Sequence, residues 1–470
     1  MLKIKHRGRA NPFLHIGNPQ LNTADFAINN RLSIAVVGTG IAGMSAAWLL
    51  NKNHNVTVYE KNDRIGGHSN TVEVQTEIGP VHVDTGFIVY NERNYPNLTA
   101  LFKHLNVPSI DAEMSFGASL GRGNFEYSGT DLDGILGQRR NVFRPRFWKM
   151  IRGILSFYKN APEILDDPAY DGMSLGAYLE QGELSDSFVE DHLLPMGAAI
   201  WSTTAAEMKS YPAKAFVRFF ESHGLLTLSE RPQWRTVFGG SWEYVRRLTD
   251  PYRDRIHFSG VRSVRRTGNE VFVTDEAGNQ KAYGHVVFAT HADETLSLLS
   301  DGDDRERGLL GKWRYTQNRA VLHSDPSLMP KRRRVWSSWN FIGDPSADNG
   351  NRLCVTYWMN HLQSLKTETP LFLTLNPFHE PSKGSIICEF DYAHPFFNAE
   401  ALETQPNLWS VQGHRNTWYC GSYFGAGFHE DALQSGLAVG EQLGGQERPW
   451  DGANINDRLH FSETGQATPA

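Results

Sequence analysis

Three cysteines, Cys354, Cys388 and Cys420, are few for 470 residues, odd in number and widely spaced. They form no C-x-x-C pair, which excludes a disulfide framework and a cysteine-based zinc site and suits a reducing compartment. No apolar run reaches eighteen residues, so no spanning helix is expected. The formal charge of −6 leaves no basic footprint for nucleic acid. Hydrophobic residues make up 40% of the chain, with 12 Trp and 26 Phe, which rules out a disordered chain. The length predicts at least two domains.

What is present is concentrated between Leu32 and Glu60. The β-branched run Ile34–Val37 suits a buried parallel strand. Gly38, Gly40 and Gly43 follow in G-x-G-x-x-G spacing. The first allows a tight turn, the second lets backbone approach a pyrophosphate, and the third lets helix pack on strand. Met44, Ala47, Trp48 and Leu50 continue at helical spacing, so the N–H groups of Ile41 and Ala42 open a helix whose positive end faces the loop. A second strand, Val56–Tyr59, ends at Glu60, whose carboxylate suits an adenosine ribose about twenty residues after the glycines. Lys61, Arg64, Gly66, Gly67 and His68 then bring charge and bare backbone to the same diphosphate. A Gly-rich structural turn is the simpler reading of that second motif taken alone.

Further along, Thr71–Val83 alternates around Gly79-Pro80 as a hairpin, and Asn91–Leu105 reads as a helix. Gly117–Gly121 matches the G-x-S-x-G nucleophile pattern, but hairpin-like flanks replace the strand-to-helix turn that chemistry needs, so a serine hydrolase is rejected. Arg139–Lys159 carries an apolar stripe (Phe147, Trp148, Ile151, Ile154, Leu155, Tyr158) among five basic residues (Arg144, Arg146, Lys149, Arg152, Lys159). It reads as a core-packed helix with a solvated basic face, or as a helix lying on an anionic membrane. The block to about Leu226 is helix-rich. Strands return at Arg255–Phe258, Val261–Arg265, Glu270–Thr274 and Val286–Thr290. The aromatic runs Arg319–His323, Arg334–Asn340, Leu353–Met359 and Leu371–Leu375 predict an antiparallel sheet, with Trp336 and Tyr357 facing a cavity or packed as plain core. Near the end, Thr417–Gly421 reads as a strand into a glycine turn. A helix then opens at Phe428, His429, Glu430, Asp431 and Ala432, its dipole available to an anionic ring.

These pieces resemble the amine-oxidase-like FAD superfamily, which includes monoamine and polyamine oxidases, protoporphyrinogen oxidase, carotenoid desaturases and some fatty-acid isomerases. VDTGFIVYNERNYPNL, EYSGT, HLLPMGAAIWST, RPQWRTVFGG, VTYWMN and GFHEDALQSGLAV look like a bacterial subfamily associated with cyclopropane-fatty-acid-synthase-type methyltransferases. The resemblance implies an α/β fold with an α+β insert. A two-dinucleotide-binding-domain (glutathione-reductase-like) FAD domain would span 31–100, 234–298 and 408–445. A helical plus antiparallel-sheet substrate domain would span 101–233 and 299–407. Residues 1–30 are expected to be a basic or polar extension and 446–470 an unstructured tail.

The resemblance further implies non-covalent FAD. Glu60 would hold the ribose and the Val261 backbone the adenine. Gly38, Gly40, Ile41, Ala42, Gly43, Lys61 and Arg64 would surround the pyrophosphate. Gly66, Gly67, His68, Phe87, Thr290, Gly421, Glu430, Asp431 and Ala432 would lie along the ribityl chain and flavin. His68 stands where amine oxidases carry arginine, Phe428 where they carry a cage tyrosine, and no counterpart of their active-site lysine is found. The expected activity is hydride removal from a hydrophobic substrate, as in desaturating a methyl-branched fatty acyl chain. Amine oxidation, fatty-acid double-bond isomerisation and a non-catalytic partnership with a lipid methyltransferase stay open. His429 is the one candidate for proton handling, with a structural hydrogen-bond role as the alternative. The expected setting is cytoplasmic, with peripheral contact at the inner membrane through Arg139–Lys159.

Overall fold

The computed structural model describes residues 31–461 apart from 130, 183, 228–230, 344–353 and 453. The expected extension at 1–30 lies outside the described residues.

Its first layer is a five-stranded parallel sheet in the spatial order Ile256–Phe258, Asn55–Glu60, Ser33–Val37, His285–Phe288, Thr417–Tyr419. The three inner strands are almost wholly buried, which explains their largely apolar, β-branched sequences. Helix Ile41–Asn53 connects the first two and is buried along most of its length. Helix His429–Gln442 lies against it at close range, because Gly436 and Gly440 face Ala42, Ser45, Ala46 and Leu49. A Cβ on Gly436 would stand 2.2 Å from the Ala42 carbonyl oxygen. A three-stranded meander (Val261–Thr267, Glu270–Asp275, Gln280–Tyr283) flanks this layer.

The second layer is a seven-stranded sheet ordered Ile386–Phe396, Arg314–His323, Phe372–Leu375, Val355–Trp358, Trp339–Gly343, Phe116–Leu120, Phe125–Ser128. It is antiparallel throughout except where Trp339–Gly343 runs parallel to Phe116–Leu120. Helix Pro145–Asn160 packs Phe147 and Met150 against Ala118, Phe125 and Tyr127 at one edge of it, and helix Leu194–Trp201 lies against strand Trp339–Gly343. A short sheet of Val89–Asn91, Trp234–Val237 and Ser109–Ala112 links the layers. Asp84 ties hairpin, helix and sheet together: its buried carboxylate accepts from Ser241 N and Oγ, Thr71 Oγ1 and Gln363 Nε2.

Several expectations are corrected. The hairpin turns at Glu77-Ile78, and Gly79 with φ of 100° opens the return strand Gly79–Asp84. The helix expected over Asn91–Leu105 begins at Pro96, since proline suits the first turn and not the interior. It lies against helix His429–Gln442, so a domain boundary at residue 100 would cut it. Residues 334–338 form a turn instead of a strand. Part of the expected tail is tied down: Trp450 stacks on Trp48, Arg458 pairs with Asp431 at 2.8 Å and Leu459 is buried, while 453 and 462–470 lie outside the described residues. Ser119 lies mid-hairpin and donates to Glu126 at 2.7 Å, as the rejection of a hydrolase requires.

Candidate dinucleotide and substrate cleft

A single cleft of about 1250 Å³ runs from the glycine loop, between the two sheets, to the underside of helix Pro145–Asn160. Val37, Gly38, Thr39, Gly40, Ile41 and Ala42 line its first end. Gly38 needs its φ of 102°, and a Cβ on Gly43 would fall 2.0 Å from the Gly38 carbonyl oxygen. A Cβ on Gly40, by contrast, would meet nothing within 4 Å, which leaves the backbone there open to a ligand. No side chain caps helix Ile41–Asn53, so its first N–H groups face the cleft unclaimed.

Glu60 closes the second strand and is buried. Its Oε2 accepts from Thr39 N at 3.1 Å and from the Thr39 hydroxyl, and its Oε1 accepts from Asn62 N and Nδ2, each at 2.9 Å. The carboxylate thereby holds the glycine loop to the second strand, a role its ribose assignment did not include. Arg64 reaches across the diglycine to the Gly67 carbonyl at 2.8 Å, and Gly66 N donates to Thr39 O. Lys61 pairs with Glu294 over the rim, while Val261, Gly260 and Glu276 form the outer wall.

Further in, His68, Thr290, Phe87, Gly421, Ala432, Phe428 and His429 line the cleft. Two expected contacts are corrected here. Glu430 turns away and caps helix Pro96–His104, accepting from Asn97 N and Leu98 N at 2.9 Å each. Asp431 also turns away, taking Phe428 N at 2.6 Å and Arg458. Gly43 and Gly66 shape the backbone without lining the cleft. His429 stacks on Phe87 with ring centroids 3.9 Å apart, and its Nε2 meets the Tyr244 hydroxyl at 2.8 Å. Burial, with His68 nearby, pushes its pKa down to about 3, so the ring is neutral near pH 7.

The tertiary fold also gathers a histidine group that the sequence did not reveal. His68 lies 5.4 Å from His394 and 6.5 Å from His291, centroid to centroid, and 5.1 Å from Tyr392. Burial lowers His68 and His291 to about 4 and His394 to about 3, each imidazole also disfavouring charge on a neighbour. Asn318 Nδ2 donates to His394 Nδ1 at 3.0 Å, whereas the buried Nε2 of His68 has no protein partner.

Beyond these rings the lining turns apolar, with Met196, Ile200, Trp201, Leu225, Trp339, Tyr357, Leu373 and Leu375. Trp201, Phe219 and His223 gather round Phe428, Phe219 stacking on it at 4.8 Å. Trp336 is corrected: it lies outside the cleft, against Trp358, Phe372 and the Arg333 guanidinium. The one lysine on the described lining is Lys61, at the glycine-loop end.

Residues 36–105 match the model of a family described as an NAD(P)-binding Rossmann-like domain. An L-amino-acid oxidase of Notechis scutatus scutatus is 39% identical over 77 residues, 15% of this chain and 14% of that protein. Solved structures similar over 88% of this chain include a CLA-producing fatty acid isomerase from P. acnes, at 15% identity, TM-score 0.61 and 99% of its length. A putrescine oxidase and the cyclohexylamine oxidase from Brevibacterium oxydans each align at 14% identity, TM-score 0.62 and 99% of their length.

Fold and cleft thus define a Rossmann-like layer, matched over residues 36–105, joined by one cleft to a second, sheet-based chamber. In fold, the chain shares the architecture of the solved putrescine and cyclohexylamine oxidases.

Proposed function

We propose that the chain is an FAD-dependent oxidoreductase that desaturates a long hydrophobic substrate, a fatty acyl chain being the class that fits best. The carrying observation is the lining itself. One continuous cleft joins the glycine loop to a chamber of Met, Ile, Leu, Trp and Tyr side chains. Its carboxylates, Glu60, Glu276, Asp293 and Glu294, come from the dinucleotide-binding layer, and Asp391 is exposed. A chamber built to hold an ammonium group would carry a buried acid, and an apolar wall suits a hydrocarbon. The likeness to a fatty acid isomerase supports an acyl chain in a fold of this kind.

The backbone of Gly40, Ile41 and Ala42 would hold the diphosphate with Arg64, and Glu60 would take the ribose. Bound there, FAD supplies two-electron oxidation of a substrate C–H bond. The chain's own part is to extend the substrate past Phe428 and Trp201, exclude water, and hold one carbon in place; such positioning is worth several kcal/mol of barrier. His429, neutral and committed to Tyr244, positions the Phe87 ring. His68 Nε2 is the unclaimed nitrogen that faces the same space.

Anaerobic titration of the purified holoprotein with acyl lipids, followed by the visible flavin absorbance, tests the reading. Bleaching by lipid and not by amines is expected, with an unsaturated product. Bleaching by amines alone would overturn it in favour of amine oxidation. An unbleached flavin with a shifted double bond in the lipid would make the protein an isomerase.

A further inference from the structure

Helix Pro145–Asn160 is amphipathic twice over. Its inner side, Phe147, Met150, Gly153 and Phe157, is buried against the protein body. Its outer side exposes large apolar side chains among its cations. Trp148 is 51% and Leu155 50% exposed, two turns apart on one face, and Phe143 in the preceding turn Arg139–Phe143 is 87% exposed. The Trp148 indole N–H donates to the Val142 carbonyl at 2.8 Å, which fixes the ring beside the turn and keeps it out of the core.

The same segment carries seven cations between residues 139 and 162, namely Arg139, Arg140, Arg144, Arg146, Lys149, Arg152 and Lys159, and no acid, in a chain of net charge −6. Arg139 is engaged by Asp133 and Arg146 by Asp191. Lys149, Arg152 and Lys159, interleaved with Trp148 and Leu155, make no ion pair among the described residues.

We propose that this face docks on an anionic phospholipid bilayer, with Phe143, Trp148 and Leu155 entering the headgroup boundary and the three free cations meeting lipid phosphates. Rigid exposed aromatics ringed by unpaired Lys and Arg are what an interfacial helix presents to anionic lipid. A second copy is a poor occupant, because a two-fold contact would set this cation cluster against itself. The placement also gives the cleft a direction. Tyr158, on the same helix, lines the cleft together with Gly129, Leu225 and Arg231, so the cleft reaches the helix that carries the docking face.

Flotation of the full-length holoprotein with vesicles tests this directly. The wild type is expected to float with phosphatidylcholine–phosphatidylglycerol vesicles, to stay at the bottom with phosphatidylcholine alone, and to be released by salt. Combining Lys149→Glu, Arg152→Glu and Lys159→Glu should weaken binding at least a hundredfold, about fivefold per cation lost. Combining Phe143→Ser with Trp148→Ser should abolish flotation while flavin content and melting midpoint stay at wild-type values. Should either variant fail to fold, the salt series on the wild type still decides. Wild type that remains at the bottom with anionic vesicles, or floats unaffected by salt, overturns the proposal. So does a change of molecular mass in place of flotation when the same residues are altered, which would make the face a protein interface.

Discussion

The carboxylate of Glu60 and the backbone and hydroxyl of Thr39 are joined across twenty-one residues of sequence, and that junction fixes the glycine loop. Because Asn62 occupies the other oxygen, Glu60 serves the loop before it serves any ligand. Glu60→Ala leaves several buried donors unsatisfied, at about 1–3 kcal/mol for each group stranded. The expected result is a lower melting midpoint together with flavin lost on gel filtration. Glu60→Gln, which keeps the shape, should lose much less stability while retaining less flavin than wild type.

Asp84 is the corresponding anchor for the hairpin. Burial raises its carboxyl to about 6, even though hydrogen bonds from Thr71, Ser241 and Gln363 oppose the shift. Asp84→Ala should destabilise the fold by about 2–4 kcal/mol, since those donors lose their acceptor inside the protein. Chemical denaturation of holoprotein would show the midpoint falling with an unchanged slope.

Acid should unfold the protein through its histidines as well as its carboxylates. His192, buried beside the Tyr127 hydroxyl, is lowered from 6.5 to about 4 by burial above all. A base with a depressed folded pKa binds its proton more readily when unfolded. Its contribution is therefore complete above pH 6.5 and is lost as pH falls toward 4. Between those values it adds up to about 1.4 kcal/mol per pH unit to the slope. His68, His291 and His394 titrate in the same direction at the cleft, so flavin release should accompany unfolding. Denaturation at a series of pH values, comparing wild type with His192→Gln, should show the shallower slope in the variant.

His429 and Phe87 form the contact that separates positioning from proton transfer. Replacing His429 with Gln removes the stacked ring and one of the two partners of the Tyr244 hydroxyl, which keeps Ser69 Oγ. For a positioning role, the rate of flavin reduction should fall less than tenfold, with flavin retention falling more. A loss of 10²–10⁴-fold at full flavin occupancy would instead make His429 a proton acceptor.

The chamber makes its own prediction. Ile200 lines it from helix Leu194–Trp201, so Ile200→Phe should obstruct a long acyl chain and spare a short one. Trp336→Leu, at a site outside the cleft, should change stability without altering the preference for chain length. Comparing flavin reduction by short and long acyl substrates would show the difference.

The sequence by itself determined the first layer. Its inner strands are buried on both faces and so read as largely apolar, β-branched runs, and Gly38, Gly40 and Gly43 take their roles from the backbone within a few residues. The N-terminal half of the cleft was legible for the same local reason. Local pattern misled where partners are distant. Glu430 and Asp431 open a helix beside the cleft, yet Asn97, Leu98 and Arg458, brought in from either end of the chain, draw both carboxylates away. The strand Ile386–Phe396 was not foreseen, since its half-exposed residues give no apolar run and its order comes from pairing with Arg314–His323. His394 lies on that strand. The grouping of His68, His291 and His394, and the Trp201–Phe219–Phe428 wall, therefore belong to tertiary structure alone. Their members come from separate stretches of the chain, and only the tertiary fold brings them to the lining of one cleft.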